Sequence, residues 1–212
     1  MDTLTGQYNR FKTEQILLNE FDRFKRYGEN ICVIMLDIDK FKDVNDTFGH
    51  NCGDEVLTEL CSLVSKNLRR VDVFGRWGGE EFVVICPGTS LESGAKIADN
   101  LRSRVEAHSF TPVPKVTVSL GVSAFQRNEH AYSDALKRAD VALYESKRTG
   151  RNRVCSRSDD KKSFCCIFAP RRAMFMGCSS RPVNGGQLGR PVNGAWWAIY
   201  SICFYLVPDR KP

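Results

Sequence analysis

The chain has 212 residues, 42% of them hydrophobic and 26% charged, enough for one ordinary domain and an appendage. Its net charge of +6 does not point to a nucleic-acid partner, because residues 1–154 balance 22 basic against 22 acidic residues. Residues 155–212, with nine basic and three acidic residues, carry the whole excess.

Apolar positions at Phe11, Leu17, Leu18, Phe21 and Phe24 predict a helix over Phe11–Tyr27, ended by Gly28-Glu29-Asn30. Ile31–Leu36 is a continuous apolar run, the pattern of a strand buried on both faces. Lys42 reads as part of a loop after that strand. Val56, Leu57, Leu60, Leu63, Val64 and Leu68 mark a second helix, opened by Gly53-Asp54. The apolar segments Val71–Phe74 and Val83–Cys86 flank Gly78-Gly79, so they read as two strands of a hairpin. A third helix carries Ala95, Ile97, Ala98, Leu101 and Val105. Val116, Val118, Leu120 and Val122 then alternate with Thr117, Ser119, Gly121 and Ser123, which predicts a half-exposed strand. A fourth helix runs from about Ser133 to Lys147, with Gly150 as its stop. The order suggests an α+β fold with helices on the faces of a sheet.

Nine cysteines in a small secreted protein would suggest disulfides, but Met1 is followed by a polar, turn-rich segment with no signal-peptide pattern. Cys32, Cys61 and Cys86 lie in apolar patterns and read as small buried hydrophobes, and Cys52 reads as a loop residue. A reduced, cytoplasmic protein is expected. Residues 155–212 lack Glu, repeat Arg-Pro-Val-Asn-Gly at 181–185 and 190–194, and end in the aromatic run Ala195–Val207. That run is shorter than the roughly 20 residues a membrane span needs. The segment is expected to be poorly ordered, and any peripheral contact with the inner membrane would come through it alone.

Chemistry concentrates at Arg76-Trp77-Gly78-Gly79-Glu80-Glu81-Phe82. Two glycines let a ligand approach the backbone, and two adjacent carboxylates at a turn call for a cation or proton donor. The stretch resembles the signature of the GGDEF family of diguanylate cyclases, in its GGEEF form. Five further segments resemble that family's motifs in order. They are Asp2-Thr3-Leu4-Thr5-Gly6 with Asn9-Arg10; Leu36–Lys42 with Asn45-Asp46, Gly49-His50 and Gly53-Asp54; Ser119-Leu120-Gly121; Ala139–Tyr144; and Lys147 with Gly150-Arg151-Asn152. The resemblance covers residues 1–154 and leaves 155–212 as a tail. Gln7 departs from it, standing where the family has an apolar residue.

The resemblance implies a mainly antiparallel sheet flanked by helices, similar to the polymerase palm and class III nucleotide cyclases. It implies condensation of two GTP into cyclic di-GMP and two pyrophosphates, with the active site shared between two copies of the chain. Asp37, Glu80 and the carbonyl of Ile38 would hold Mg²⁺, for which Mn²⁺ could substitute. Glu81 would be a metal ligand or the group that helps deprotonate the 3′-hydroxyl. Lys42, Lys147, Arg151 and the backbone N–H groups around Phe41 and Lys42 would meet the phosphates, with Gly79 lining the same site. Asn45 and Asp54 would read guanine: a carboxylate accepts from N1–H and N2–H₂, and adenine presents the opposite polarity. Asp54 could instead cap a helix. Arg69 and Asp72, an Arg-x-x-Asp motif at fixed distance before Gly78, resemble the family's inhibitory product site. The alternative is a non-catalytic module that binds cyclic di-GMP or GTP.

Overall fold

The computed structural model describes residues 1–158 and the strand at 164–168. In chain order the elements are α1 (Arg10–Tyr27), β1 (Ile31–Ile38), α2 (Phe41–Phe48), α3 (His50–Ser65), β2 (Val73–Arg76), β3 (Glu81–Pro87), α4 (Leu91–Ala107), β4 (Val118–Ala124), α5 (Tyr132–Arg148), β5 (Val154–Arg157) and β6 (Phe164–Phe168). They build one sheet in the order β2-β3-β1-β4-β5-β6. Every neighbouring pair is antiparallel except β4 with β5. This is the α+β architecture with a mainly antiparallel sheet that the sequence implies.

Helix α1 forms where its ends are chemically marked. The Asn9 side chain accepts from the Lys12 N–H at 3.0 Å, and Gly28, at φ 73°, donates its N–H to Phe24 O at 2.8 Å. All eight residues of β1 are buried because helices cover both faces of the sheet. The pleat sorts its side chains. Cys32, Ile34 and Leu36 enter a core with residues of α3 and α4, and Val33 and Met35 enter a second core with residues of α1 and α5. Each such aliphatic burial contributes about 1.5–3 kcal/mol.

Several sequence expectations change. Lys42, read as a loop residue, lies in α2, and α3 begins at His50 rather than at Gly53-Asp54. Asp54 therefore sits inside α3 and is not its N-cap; Cys52 is a buried helical residue. Strand β4 is buried on both faces rather than half-exposed. Its small alternate residues face α5: the Ser123 hydroxyl donates to Ala135 O at 2.6 Å, and a Cβ on Gly121 would lie 2.0 Å from Ala139 O. Polarity there reflects close helix packing, not solvent. The sheet also continues past residue 154 into β5 and β6. The expectation of poor order and membrane contact for the remaining tail falls on residues outside those described.

The thiols of Cys32, Cys52, Cys61 and Cys86 are free and buried, and Cys155 is buried as well. Burial pushes Cys32 and Cys61 up to about 12, so they act as small hydrophobes. Among the described residues no helix is long and apolar enough to cross a membrane.

Candidate active site at one end of the sheet

Strand β1 delivers Asp37 to the sheet end beside the β2–β3 hairpin. Asp37 lies directly opposite Glu81 of β3 on one side and Ser119 of β4 on the other. Opposed residues of an antiparallel ladder share a face, so these three side chains form a row on the α1/α5 side. Lys147, in the last turn of α5, reaches that row and places Nζ 2.7 Å from Asp37 Oδ2. Asp37 is only 3% exposed. Burial pushes its carboxyl up to about 6; Lys147 pulls it down by hydrogen bond and charge, and Glu80 and Glu81 add to the rise.

The hairpin is closed by Glu81 O, which accepts from Trp77 N–H at 2.8 Å and Gly78 N–H at 3.2 Å. A Cβ on Gly78 would approach Glu81 Oε2 to 2.9 Å, so glycine leaves that carboxylate its path. Gly79 is exposed with nothing within 4 Å of a notional Cβ, open to a ligand. Glu80 O accepts from Ile38 N–H at 3.4 Å, which keeps the turn against the end of β1.

A cleft of about 410 Å³ opens between this hairpin and the α2–α3 pair. Its lining includes Phe41, Lys42, Asn45, Asp54, Gly79 and Glu80. The two helices meet closely because α3 carries glycine there: a Cβ on Gly53 would fall 1.9 Å from Asn45 Oδ1 and 3.2 Å from Phe41 Cζ. Asn45 on α2 and Asp54 on α3 thus line one cleft. The cleft brings together six of the residues singled out from sequence, while Asp37, Glu81 and Lys147 converge on the adjoining strand ends.

Arg151 is placed elsewhere. It lines a neighbouring cavity of about 560 Å³ together with Lys40, Phe48, Lys115 and Asn152, on the far side of α2. Arg69 and Asp72 occupy the turn before β2 and line neither cavity. Asp72 Oδ2 accepts from the Arg69 N–H at 2.9 Å and so closes its own turn, while Arg69 is exposed.

Sequence reasoning gave Arg76 no role. Its guanidinium donates from Nε and Nη2 to Gly79 O at 3.1 and 2.8 Å, and Nη1 lies 3.1 Å from Asp2 Oδ1. It therefore ties the glycine turn to the opening motif. Partial burial works against the Asp2 charge, but hydrogen bonds from Thr5 and Arg76 outweigh it and hold the carboxyl below its ordinary range. The available signal was an Arg beside the glycine pair and an otherwise unexplained Asp2.

Among the described residues no three His, Cys, Asp or Glu side chains converge as a ready-made metal cage. The donors at the hairpin are all hard oxygens, and Glu80 and Glu81 both disfavour the Asp37 charge. Such an anionic cluster fits a Mg²⁺-like ion that takes one or two carboxylates and completes its shell with phosphate and water.

Comparison with known proteins agrees with this geometry. The family described as "Diguanylate cyclase, GGDEF domain" matches residues 1–153. The chain is 40% identical over 155 residues to the probable diguanylate cyclase DgcC of Escherichia coli, covering 72% of this chain and 42% of that protein. It is 43% identical over 157 residues to the diguanylate cyclase DgcP of Pseudomonas aeruginosa, covering 72% and 23%. The chain thus spans less than half the length of these curated relatives. The GGDEF domain of DgcB from Caulobacter crescentus, solved in complex with c-di-GMP, superposes with a TM-score of 0.70 at 33% identity, covering 74% of this chain and 94% of that one. With the matched region running through the hairpin, the cleft and the Lys147 turn, the chain belongs to the diguanylate cyclase GGDEF domain family.

Proposed function

We propose that this chain is a diguanylate cyclase that condenses two GTP into cyclic di-GMP and two pyrophosphates, each 3′-hydroxyl attacking the α-phosphorus of the other nucleotide. The observation that carries the reading is the junction at the hairpin: Glu80 lines the nucleobase-sized cleft of about 410 Å³, and its neighbour Glu81 stands opposite the buried Asp37.

In this reading Asp54 accepts from the guanine N1–H and N2–H₂, and the Asn45 amide pairs with an adjacent acceptor. Adenine would leave Asp54 facing the wrong polarity, a mismatch that costs heavily in a site built for hydrogen bonds. Lys42, Lys147 and the N–H groups at the start of α2 draw the phosphates toward the end of β1. Mg²⁺ or Mn²⁺, held by Asp37, Glu80 and the Ile38 carbonyl, would neutralise charge on the triphosphate. Glu81 faces the same point and serves the removal of the 3′-hydroxyl proton, directly or through its charge.

One chain presents one nucleotide, so the reaction needs two copies face to face. Arg69 and Asp72, outside the cleft, form a separate site for product: the guanidinium forks onto phosphate or guanine and the carboxylate accepts from the guanine edge. Product held there restrains the approach of the two copies. The domain is assigned to residues 1–154 and its work to the cytoplasm.

The test is chromatography of products after incubating the concentrated chain with GTP and Mg²⁺. Cyclic di-GMP and pyrophosphate are expected, and Glu81→Gln should lower their rate at least a hundredfold while cyclic di-GMP binding persists. Binding of cyclic di-GMP without any synthesis by the unaltered chain would replace this reading with a receptor; cyclic GMP as product would make the chain a different cyclase.

A further inference from the structure

Among the described residues, three other than glycine adopt positive φ: Lys40 at 57°, Arg151 at 60° and Asn152 at 46°. All three lie beside one buried carboxylate, Asp39. Left-handed backbone at residues with a Cβ is strained, persists only where the surroundings hold it, and gathers at ligand clamps.

Asp39 is 9% exposed and supplies that hold. Its carboxylate accepts from Thr117 Oγ1 and Ser119 Oγ, each at 2.7 Å, and from the Asn152 N–H at 3.0 Å. Its own N–H donates to Thr117 O at 2.9 Å. Asn152 is gripped from the other side: Oδ1 accepts from Arg102 Nη1 at 3.1 Å, and Nδ2 donates to Glu106 Oε1 at 2.8 Å. The Arg151 N–H donates to Ser146 O at 2.9 Å. Through Asn152, 113 residues away, one carboxylate therefore joins the start of α2, with Lys40, Phe41 and Lys42, to the turn after α5 that also carries Arg151.

The Asp39 carboxylate is thus engaged by two hydroxyls and one backbone N–H of its own chain. The first segment carries Lys42 into the cleft; the second carries Arg151, which lines the neighbouring cavity across α2 and which the family resemblance assigns to the same phosphates. We propose that Asp39 is a positioning residue that sets the spacing between the start of α2 and the Arg151 turn, and thereby the affinity for the triphosphate but not for the guanine. The inference rests on the reading of the chain as a GTP-using cyclase. An asparagine at 39 has one acceptor oxygen in place of a carboxylate's two, and its NH₂ would face hydrogen-bond donors. The two segments would then lose their register, and displacement of aligned groups by an ångström is costly at a reacting centre.

The experiment is calorimetric binding of 3′-deoxy-GTP, which lacks the attacking hydroxyl, and of GMP to the full chain with Mg²⁺. The unaltered chain should favour the triphosphate. Asp39→Asn should cut that preference about tenfold and leave GMP affinity unchanged, because Asn45 and Asp54 keep their places. Asn152→Ala, which removes the amide and strains the same turn, should produce the same selective loss and decides the matter if Asp39→Asn does not fold. Variants that keep the full preference, or that lose GMP and triphosphate affinity in parallel with a lower melting temperature, overturn the inference and leave Asp39 a purely structural residue. An unaltered chain with no preference for the triphosphate brings down the cyclase reading itself, and this inference with it.

Discussion

Asp37 has to carry a charge where burial denies it water and two neighbouring acids repel it, with Lys147 as its counter-charge. Its carboxyl keeps a proton up to about pH 6, against an ordinary value of 3.8. A divalent ion competes with that proton, so Mn²⁺ affinity should fall about tenfold for each pH unit below 6. Lys147→Met removes the hydrogen bond and the charge that hold the carboxyl down, so the midpoint should move upward. Electron paramagnetic titration of Mn²⁺ between pH 5 and 8 measures both, and a pH-independent affinity would show that Asp37 is not a ligand. The same shift has a stability sign. A carboxyl raised on folding contributes stability that is fully present below pH 3.8 and lost as pH rises through about 6. A buried carboxylate suited to a cation is thus least stable at the higher pH where it carries its charge.

Packing between elements decides what no single residue can. Gly121 of β4 lies under α5, and a Cβ there would meet backbone, 2.0 Å from Ala139 O and 2.2 Å from Leu143 N. Backbone cannot step aside as a side chain can, so Gly121→Ala should destabilise the chain by about 3 kcal/mol, read as a lower urea midpoint. A variant as stable as the parent would mean that α5 is free to shift. The same elements mark how far the sequence could be read. Helices α1, α4 and α5 and strand β1 were legible because long apolar periodicities and end signals agree. Helix α2 was not: eight residues with Asp43, Asn45, Asp46 and Thr47 are too short and too polar to persist alone, and only Phe41 and Val44 packed against α3 hold them. Gly53 looked like a helix start because glycine usually punctuates, whereas here it removes a Cβ so that α3 can touch Asn45. In β4 the alternation was real, but its polar half faces a helix rather than water. The cleft residues were legible as motifs. The clasp by Arg76 and the separation of Arg151 from the cleft depend on contacts between distant segments, which spacing alone does not encode.

In the proposed reaction two molecules enter each turnover, each supplying one nucleotide and one set of acids. Rate per chain should therefore rise in proportion to chain concentration until pairing saturates, measured as pyrophosphate release over a dilution series. A rate per chain that stays constant into the nanomolar range would contradict a transient pair. Within one molecule the sheet divides the labour. The even-numbered face of β1 backs α2 and α3, whose Asn45 and Asp54 line the cleft, whereas Asp37, Glu81 and Lys147 share the odd-numbered face with α5. The hairpin joins the two: Gly79 and Glu80 line the cleft, and Glu81 stands opposite Asp37. Under the proposed roles, drift in the helical wall can therefore retune which purine is admitted without disturbing the acids at the strand ends, and the two properties can be inherited, lost or redesigned one at a time.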